Sequence, residues 1–206
     1  MLSLNKRPLY VGLTGGIGCG KTTVLKEFRK LGIPCFVADE VAKGYYEFPD
    51  FVDAVSQLLG ENVRMASGEV DKPKIASRVF SNRELLEGLN ELVHPRVMRD
   101  FELWAKGQQS EYVIFESAIL CEHGFDKMMD RVVCVYLDME ERLRRLAYRD
   151  NADRVALEAR MKNQWSAEQK MELADWVILN YEGNPRARQV KLVDEYIKNG
   201  VAVGLK

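Results

Sequence analysis

Residues 15–22 read Gly-Gly-Ile-Gly-Cys-Gly-Lys-Thr, which places Gly15, Gly20, Lys21 and Thr22 on the spacing G-x-x-x-x-G-K-[ST]. That spacing suits the binding of a phosphate chain. Gly15, Gly16, Gly18 and Gly20 allow backbone conformations that a Cβ opposes. Successive N–H groups, that of Cys19 among them, can then converge on phosphate oxygens at the positive end of a helix. Lys21 would reach the β- and γ-phosphates and the Thr22 hydroxyl would ligate Mg²⁺. Without the right flanks, the same stretch is a glycine-rich turn that binds nothing.

The flanks are right. Leu9, Tyr10, Val11 and Leu13 supply a buried strand before the loop. Val24, Leu25, Phe28 and Leu31 then mark one face of a helix, and Gly32 stands where it would stop.

Other polar residues close apolar runs. Residues 33–38 read as a short strand that ends in Asp39-Glu40. Ligands of open α/β sheets bind at the carboxyl ends of strands, so Asp39 lies beside the loop if strand two neighbours strand one. There it would be a base for a substrate hydroxyl. Equally, it could cap a helix over 40–46. Residues 112–116 form a strand ending in Glu116, either a Walker-B acid directed at the Mg²⁺ shell or an exposed strand-end acid. The continuous apolar run 131–137 fits a parallel strand covered on both faces. Residues 176–179 make a fifth strand before Asn180, and 185–198 a last helix. Strands and helices alternate, which argues for an α/β fold with a parallel five-stranded sheet flanked by helices.

Two stretches exceed simple crossovers. Residues 49–107 carry three amphipathic faces: Phe51, Val52, Val55, Leu58 and Leu59; then Ile75, Val79 and Phe80; then Leu85, Leu86, Leu89, Leu92 and Val93. The third face is expected to break at Pro95, with His94 beside the break, where a histidine reads as structural before it reads as chemical. This is either a helical insertion that covers an acceptor substrate or added packing. Residues 140–164 are charged and helical and hold Arg142, Arg144, Arg145, Arg149, Arg154 and Arg160. They form either a solvated helix pair or a lid that brings cations to a transferring phosphoryl group. Arg145 and Arg149 share an i,i+4 face and are the better choices for the second role.

The whole chain narrows the class. Its 206 residues allow one large domain or a core with an insertion, and 47% hydrophobic content is ordinary for a globular protein. Lys plus Arg (30) balances Asp plus Glu (31), which gives no sign of a nucleic-acid or membrane-surface partner. The N-terminal ten residues lack the apolar core of a signal peptide, and no apolar run reaches membrane-spanning length. Four cysteines are scattered without metal-like spacing, which fits reduced thiols in the cytoplasm. Nothing here sets an oligomeric state.

With these residues in order, the chain resembles the dephospho-CoA kinase family. The resemblance runs through Gly12-Leu-Thr-Gly-Gly-Ile-Gly-Cys-Gly-Lys-Thr22, Ala38-Asp39, Phe80, Leu89-Asn90-x-x-x-His94-Pro95 and Ile119-Leu120-x-Glu122. It continues through Arg145-Leu146-x-x-Arg149, Ala159-Arg160-x-x-x-Gln164 and Ala174-Asp175-x-Val-Ile-x-Asn180. It implies a P-loop kinase with a core (8–48, 108–138 and 174–206), a helical acceptor insertion (about 49–107) and a lid (about 139–173). The implied reaction is phosphorylation of the ribose 3′-hydroxyl of dephospho-CoA by ATP, the last step of coenzyme A biosynthesis. Asp39 matches the general base, Gly15 to Thr23 the ATP loop, and Arg145, Arg149 and Arg160 basic lid positions. Asn180 matches a position near the adenine, and His94 one that shapes the acceptor site. ATP, Mg²⁺ and dephospho-CoA are the small molecules implied.

The chain departs from the family pattern at Cys19 and Thr22, where serine is usual, at Ala118 for proline, at Arg142 for glutamine and at Lys72 for arginine. Thr22 keeps the hydroxyl. A thiol near a helix N-terminus suggests that Cys19 makes nucleotide binding sensitive to oxidation. Another small-metabolite kinase on the same core is the nearest competing reading. A Ras-type GTPase is disfavoured, because D-x-x-G and N-K-x-D are absent.

Overall fold

The structure is a computed structural model that describes residues 7–150, 153–161 and 164–200. Its elements in order are β1 (Leu9–Thr14), α1 (Lys21–Lys30), β2 (Cys35–Val37), α2 (Ala38–Gly44), α3 (Pro49–Leu59), α4 (Lys72–Phe80) and α5 (Arg83–Lys106). There follow β3 (Tyr112–Glu116), β4 (Arg131–Tyr136), α6 (Met139–Asp150), α7 (Arg154–Met161), α8 (Ala167–Glu172), β5 (Trp176–Leu179) and α9 (Arg186–Lys198).

The strands form one five-stranded sheet in the order β2-β3-β1-β4-β5. β1 runs parallel to β3, with Val11 opposite Ile114, and to β4, with Leu13 opposite Val133. β4 runs parallel to β5, with Val135 opposite Ile178. The apolar run of β3 is buried at every position, as is the middle of β4, which is what a sheet covered on both faces demands. From β1 the chain crosses to β2 at one edge, and after β3 it crosses past β1 to β4 on the other side. The carboxyl end of β1 is therefore a topological switch point, where a crevice opens between diverging connections.

This order corrects one expectation. Strand two does not neighbour strand one, because β3 lies between them. β2 spans only three residues and takes the edge, while the longer, fully buried β3 takes the place beside β1. Asp39 also does not cap a helix. α2 starts at Ala38 with Val37 as its N-cap, and Asp39 stands in the first turn.

Val37–Trp104 forms one compact unit and the rest of the chain another. The smaller unit begins at the end of β2, upstream of the expected boundary near 49. Phe51, Val52, Val55, Ile75, Val79, Val97, Met98 and Phe101 are buried in it. The Tyr45 hydroxyl donates to Asp100 at 2.8 Å, and Arg96 donates to Asp50 at 2.8 Å. Asp71 caps α4 by accepting from the Lys74 N–H at 3.0 Å.

Two further expectations change in this unit. α5 continues through Pro95. A proline removes one N–H from the ladder, and here the second half of the helix is secured by buried Val97, Met98, Phe101 and Ala105. Phe80 is 73% exposed. Ile75 and Val79 are four apart and share the buried face, whereas Phe80 points about 100° away from Val79.

In the larger unit α9 packs on α1 and buries Val190, Val193 and Ile197. The buried Tyr112 hydroxyl donates to Asp194 at 2.8 Å, and Lys198 reaches the same carboxylate at 2.9 Å, joining β3 to α9. Leu143, Leu146 and Leu157 form a small core between α6 and α7, with Ile17 and Met161 packed against it. No helix among the described residues is long and apolar enough to cross a membrane.

Candidate nucleotide-binding site

The loop between β1 and α1 folds as its glycines require. Gly15, Gly18 and Gly20 have φ of 149°, 82° and 86°, a region that L side chains rarely enter. Gly16 has a different reason to be glycine. A Cβ there would run into the Arg142 guanidinium. Gly20 is also crowded, since its Cβ would meet the Asn180 amide. The loop turns into α1 through bonds from the Thr23 and Val24 N–H groups to the Gly20 carbonyl, at 3.0 and 3.3 Å.

Lys21 folds back over this loop. Its ammonium donates to the Gly15 carbonyl at 3.0 Å and lies 4.0 Å from Glu116. Glu116, at the end of β3, is buried at 8% exposure, so of its two readings the exposed strand-end acid does not hold. Thr14 and Ser117 close the floor and are fully buried. Among the described residues the Thr14 hydroxyl has no hydrogen-bond partner, so a polar atom is left unsatisfied at the end of β1, where the loop begins. Thr22 and Thr23 are exposed at the start of α1.

From the other side, α6 lays one face on the loop. Leu146 would meet a Cβ on Gly18 at 2.9 Å. Arg145 accompanies it, bonded to Glu141 at 2.9 Å and to the Asn180 carbonyl at 3.0 Å. Asn180 is 3% exposed, and its side-chain amide donates to the Cys19 carbonyl at 2.7 Å. Arg144, Arg145, Asn180, Tyr181, Glu182, Gly183, Asn184 and Arg186 line an adjoining cavity of about 350 Å³. Its polar rim suits a planar, hydrogen-bonding group.

The structure distributes the other predicted residues. Arg149 engages Asp150 at 2.6 Å and is largely exposed, so it does not share the loop-facing role of Arg145 in this arrangement. Arg154 pairs with Glu140 and Glu158 at 2.6 and 2.7 Å. The Arg160 side chain lies outside the described residues. Asp39 and His94 belong to the smaller unit, Asp39 exposed in the first turn of α2 and His94 half-buried in the middle of α5. Cys19 is completely buried, which removes the access that oxidation would need. All four cysteines are free.

Sequence reasoning counted Arg142 among six arginines of a possible lid and as a departure from the family pattern, but preferred Arg145 and Arg149. It is 7% exposed and lies against the loop. Its spacing of three to Arg145 and four to Leu146 was the available signal. A second overlooked feature is Lys170. It is fully buried, and it bonds the Ala118 carbonyl at 2.6 Å and the Glu122 carboxylate at 2.7 Å. Glu122 also accepts from the Trp165 N–H at 3.0 Å. This cluster anchors the segment before α8 to the segment after β3.

Comparison with known proteins agrees with this geometry. The family model described as dephospho-CoA kinase matches residues 9–185. The chain belongs to the dephospho-CoA kinase family. The dephospho-CoA kinase of Fusobacterium nucleatum is 34% identical over 172 residues, covering 84% of this chain and 89% of that one. That of Chlorobaculum tepidum is 39% identical over 181 residues, covering 84% and 86%. Among solved structures, a Thermus thermophilus protein is 28% identical with a TM-score of 0.82, covering 95% of this chain and 99% of that one. Shikimate kinase from Acinetobacter baumannii, at 18% identity and a TM-score of 0.53, covers 97% and 96% and shares the fold. The chain is thus a phosphotransferase on a P-loop core.

Proposed function

We propose that this chain transfers the γ-phosphoryl group of ATP to the ribose 3′-hydroxyl of dephospho-CoA, with Asp39 as the base. The observation that carries the reading is the Lys21-bearing loop at the switch point of the sheet, in a chain matched to the family over residues 9–185. Gly15 to Thr23 hold the phosphates through N–H groups, and the cavity beside Asn180 takes the adenine. Lys21 exchanges the Gly15 carbonyl for the β- and γ-phosphates. Arg145 adds charge at the loop, and Arg149 and Arg160 come from the lid, residues 139–173. His94 shapes the acceptor site in the helical unit.

Mg²⁺ fits the residues present. Among the described residues no group of three or more acidic, histidine or cysteine side chains forms an ion cage. Mg²⁺ in phosphoryl-transfer sites takes one or two protein ligands and completes its shell with phosphates and water. Thr22 supplies the hydroxyl and buried Glu116 the nearby carboxylate. When bound, the ion would neutralise charge between the β- and γ-phosphates. Four free thiols suit a reducing, cytoplasmic setting.

Phosphoryl transfer asks the protein for alignment and charge stabilisation. Asp39 accepts the hydroxyl proton as the oxygen attacks in line, and closure of the lid keeps water from competing. The test is ADP release with dephospho-CoA as sole acceptor, followed by mass analysis of the product. A product heavier by one phosphoryl group on the 3′-oxygen is expected. Faster turnover with AMP, adenosine or shikimate overturns the acceptor assignment.

A further inference from the structure

We infer that Arg142 is an additional phosphate-binding residue, a guanidinium that reaches the phosphate chain from α6 on the Gly16 side of the loop. The inference rests on the nucleotide reading above and deepens it.

Three observations converge. Arg142 is buried to 7% exposure, and its Nε has no hydrogen-bond partner among the described residues. The other arginines of α6 are paired: Arg144 and Arg145 with Glu141, and Arg149 with Asp150. Among the described residues Arg142 has no carboxylate within ion-pair distance. One acid that feels its charge is Glu168 of α8, which is exposed and accepts from the Tyr136 hydroxyl at 3.3 Å. Finally, the guanidinium lies where a Gly16 side chain would be, so the loop is shaped to admit it. Gly16 is not among the positive-φ glycines, so this close approach is what calls for glycine there.

A desolvated cation without a counterion is unfavourable. Here it also lies against a loop built to present N–H groups at the positive end of α1. An anion seated in the loop satisfies the helix end, the loop donors and the guanidinium together. A tetrahedral phosphate group matches the planar fork of an arginine. The sign of the effect on stability sets this apart from a structural arginine. Removing Arg142 relieves the free protein but weakens the complex.

The experiment compares wild type, Arg142→Gln and Arg142→Lys by melting temperature, alone and in titrations with ATP, tripolyphosphate and adenosine. Arg142→Gln should melt at or above the wild-type temperature without ligand. It should bind ATP and tripolyphosphate roughly ten- to a hundredfold more weakly, with adenosine binding unchanged. Arg142→Lys should recover part of the loss. A variant that melts lower and binds tripolyphosphate as wild type does would assign Arg142 to packing alone. Should Arg142→Gln fail to fold, an Arg142→Lys protein with unaltered affinity for tripolyphosphate leads to the same assignment. Wild type that binds neither ATP nor tripolyphosphate overturns the nucleotide reading itself, and the Arg142 inference with it.

Discussion

The Asn180 side chain donates a 2.7 Å hydrogen bond to the Cys19 carbonyl, so the residue after β5 holds the loop that follows β1. The strand between them in the sheet is β4. Asn180 is itself held by its own N–H, which donates to the Tyr136 carbonyl at 3.0 Å. One buried amide thus joins the phosphate loop to the wall of the adjoining cavity.

Replacing Asn180 with alanine should therefore act on both stability and nucleotide affinity. The Cys19 carbonyl loses a buried donor, at a cost of about 1–3 kcal/mol. The loop loses its fixed geometry, and KM for ATP should rise roughly tenfold while KM for the acceptor changes little. Urea denaturation and steady-state kinetics check this. An unchanged KM for ATP would show that the loop keeps its shape without the tether.

Lys21→Ala and Asp39→Asn should both lower kcat, by about 10²- to 10⁴-fold. They should differ in binding, since Lys21→Ala also weakens ATP and Asp39→Asn does not. Asp39 is exposed, so its substitution should leave the melting temperature within a degree or two of wild type, as for most surface changes (~0.5 kcal/mol). An Asp39→Asn protein with near-normal kcat would remove the base assignment.

Glu122→Gln tests the buried cluster. Lys170 has no exposure and would be left with neutral acceptors such as the Ala118 carbonyl in place of a carboxylate. Breaking a buried pair from one side costs about 3–5 kcal/mol. The double variant Glu122→Leu/Lys170→Met should recover much of that loss, because neither charge is then stranded. Chemical denaturation of the single and double variants decides it. A single variant as stable as wild type would mean that Lys170 finds another partner.

Burial pushes the thiols of Cys35 and Cys121 up to about 11 and that of Cys134 up to about 12, from an ordinary value of 9.0. The native state keeps these thiols neutral while the unfolded chain ionises near 9. Their contribution to stability is therefore complete below pH 9 and declines as the pH rises toward 11 to 12. The urea midpoint, measured under reducing conditions, should fall from about pH 8.5 upward. A midpoint that holds steady to about pH 10.5 would contradict the burial argument.

The loop and its two flanks were legible in the sequence because all of their determinants are contiguous. A strand of apolar residues, a run of glycines and a helix with i,i+4 periodicity each announce themselves locally. The same holds for β3, β4, β5 and α9, whose apolar spacing needs no knowledge of neighbours. Pro95 misled because a helix-breaking residue was judged by its local rule alone. The packing of Val97, Met98 and Phe101 outweighs one missing hydrogen bond. Phe80 misled in a similar way, since adjacency in sequence to Val79 does not place it on the same helical face. The arginines of α6 were ranked by mutual spacing, and the loop turned out to be covered by Arg142, Arg145 and Leu146.

From its amino-acid order alone this protein was committed to a phosphate-binding loop, a parallel α/β sheet and membership in one kinase family. Those properties reside in short runs whose side-chain chemistry acts over a few residues. Which strands lie side by side, which arginine is buried against Gly16, and which amide reaches Cys19 were decided by the tertiary structure. Parallel strands are joined by long crossovers, so spatial neighbours are set by how apolar faces pack together and not by distance along the chain.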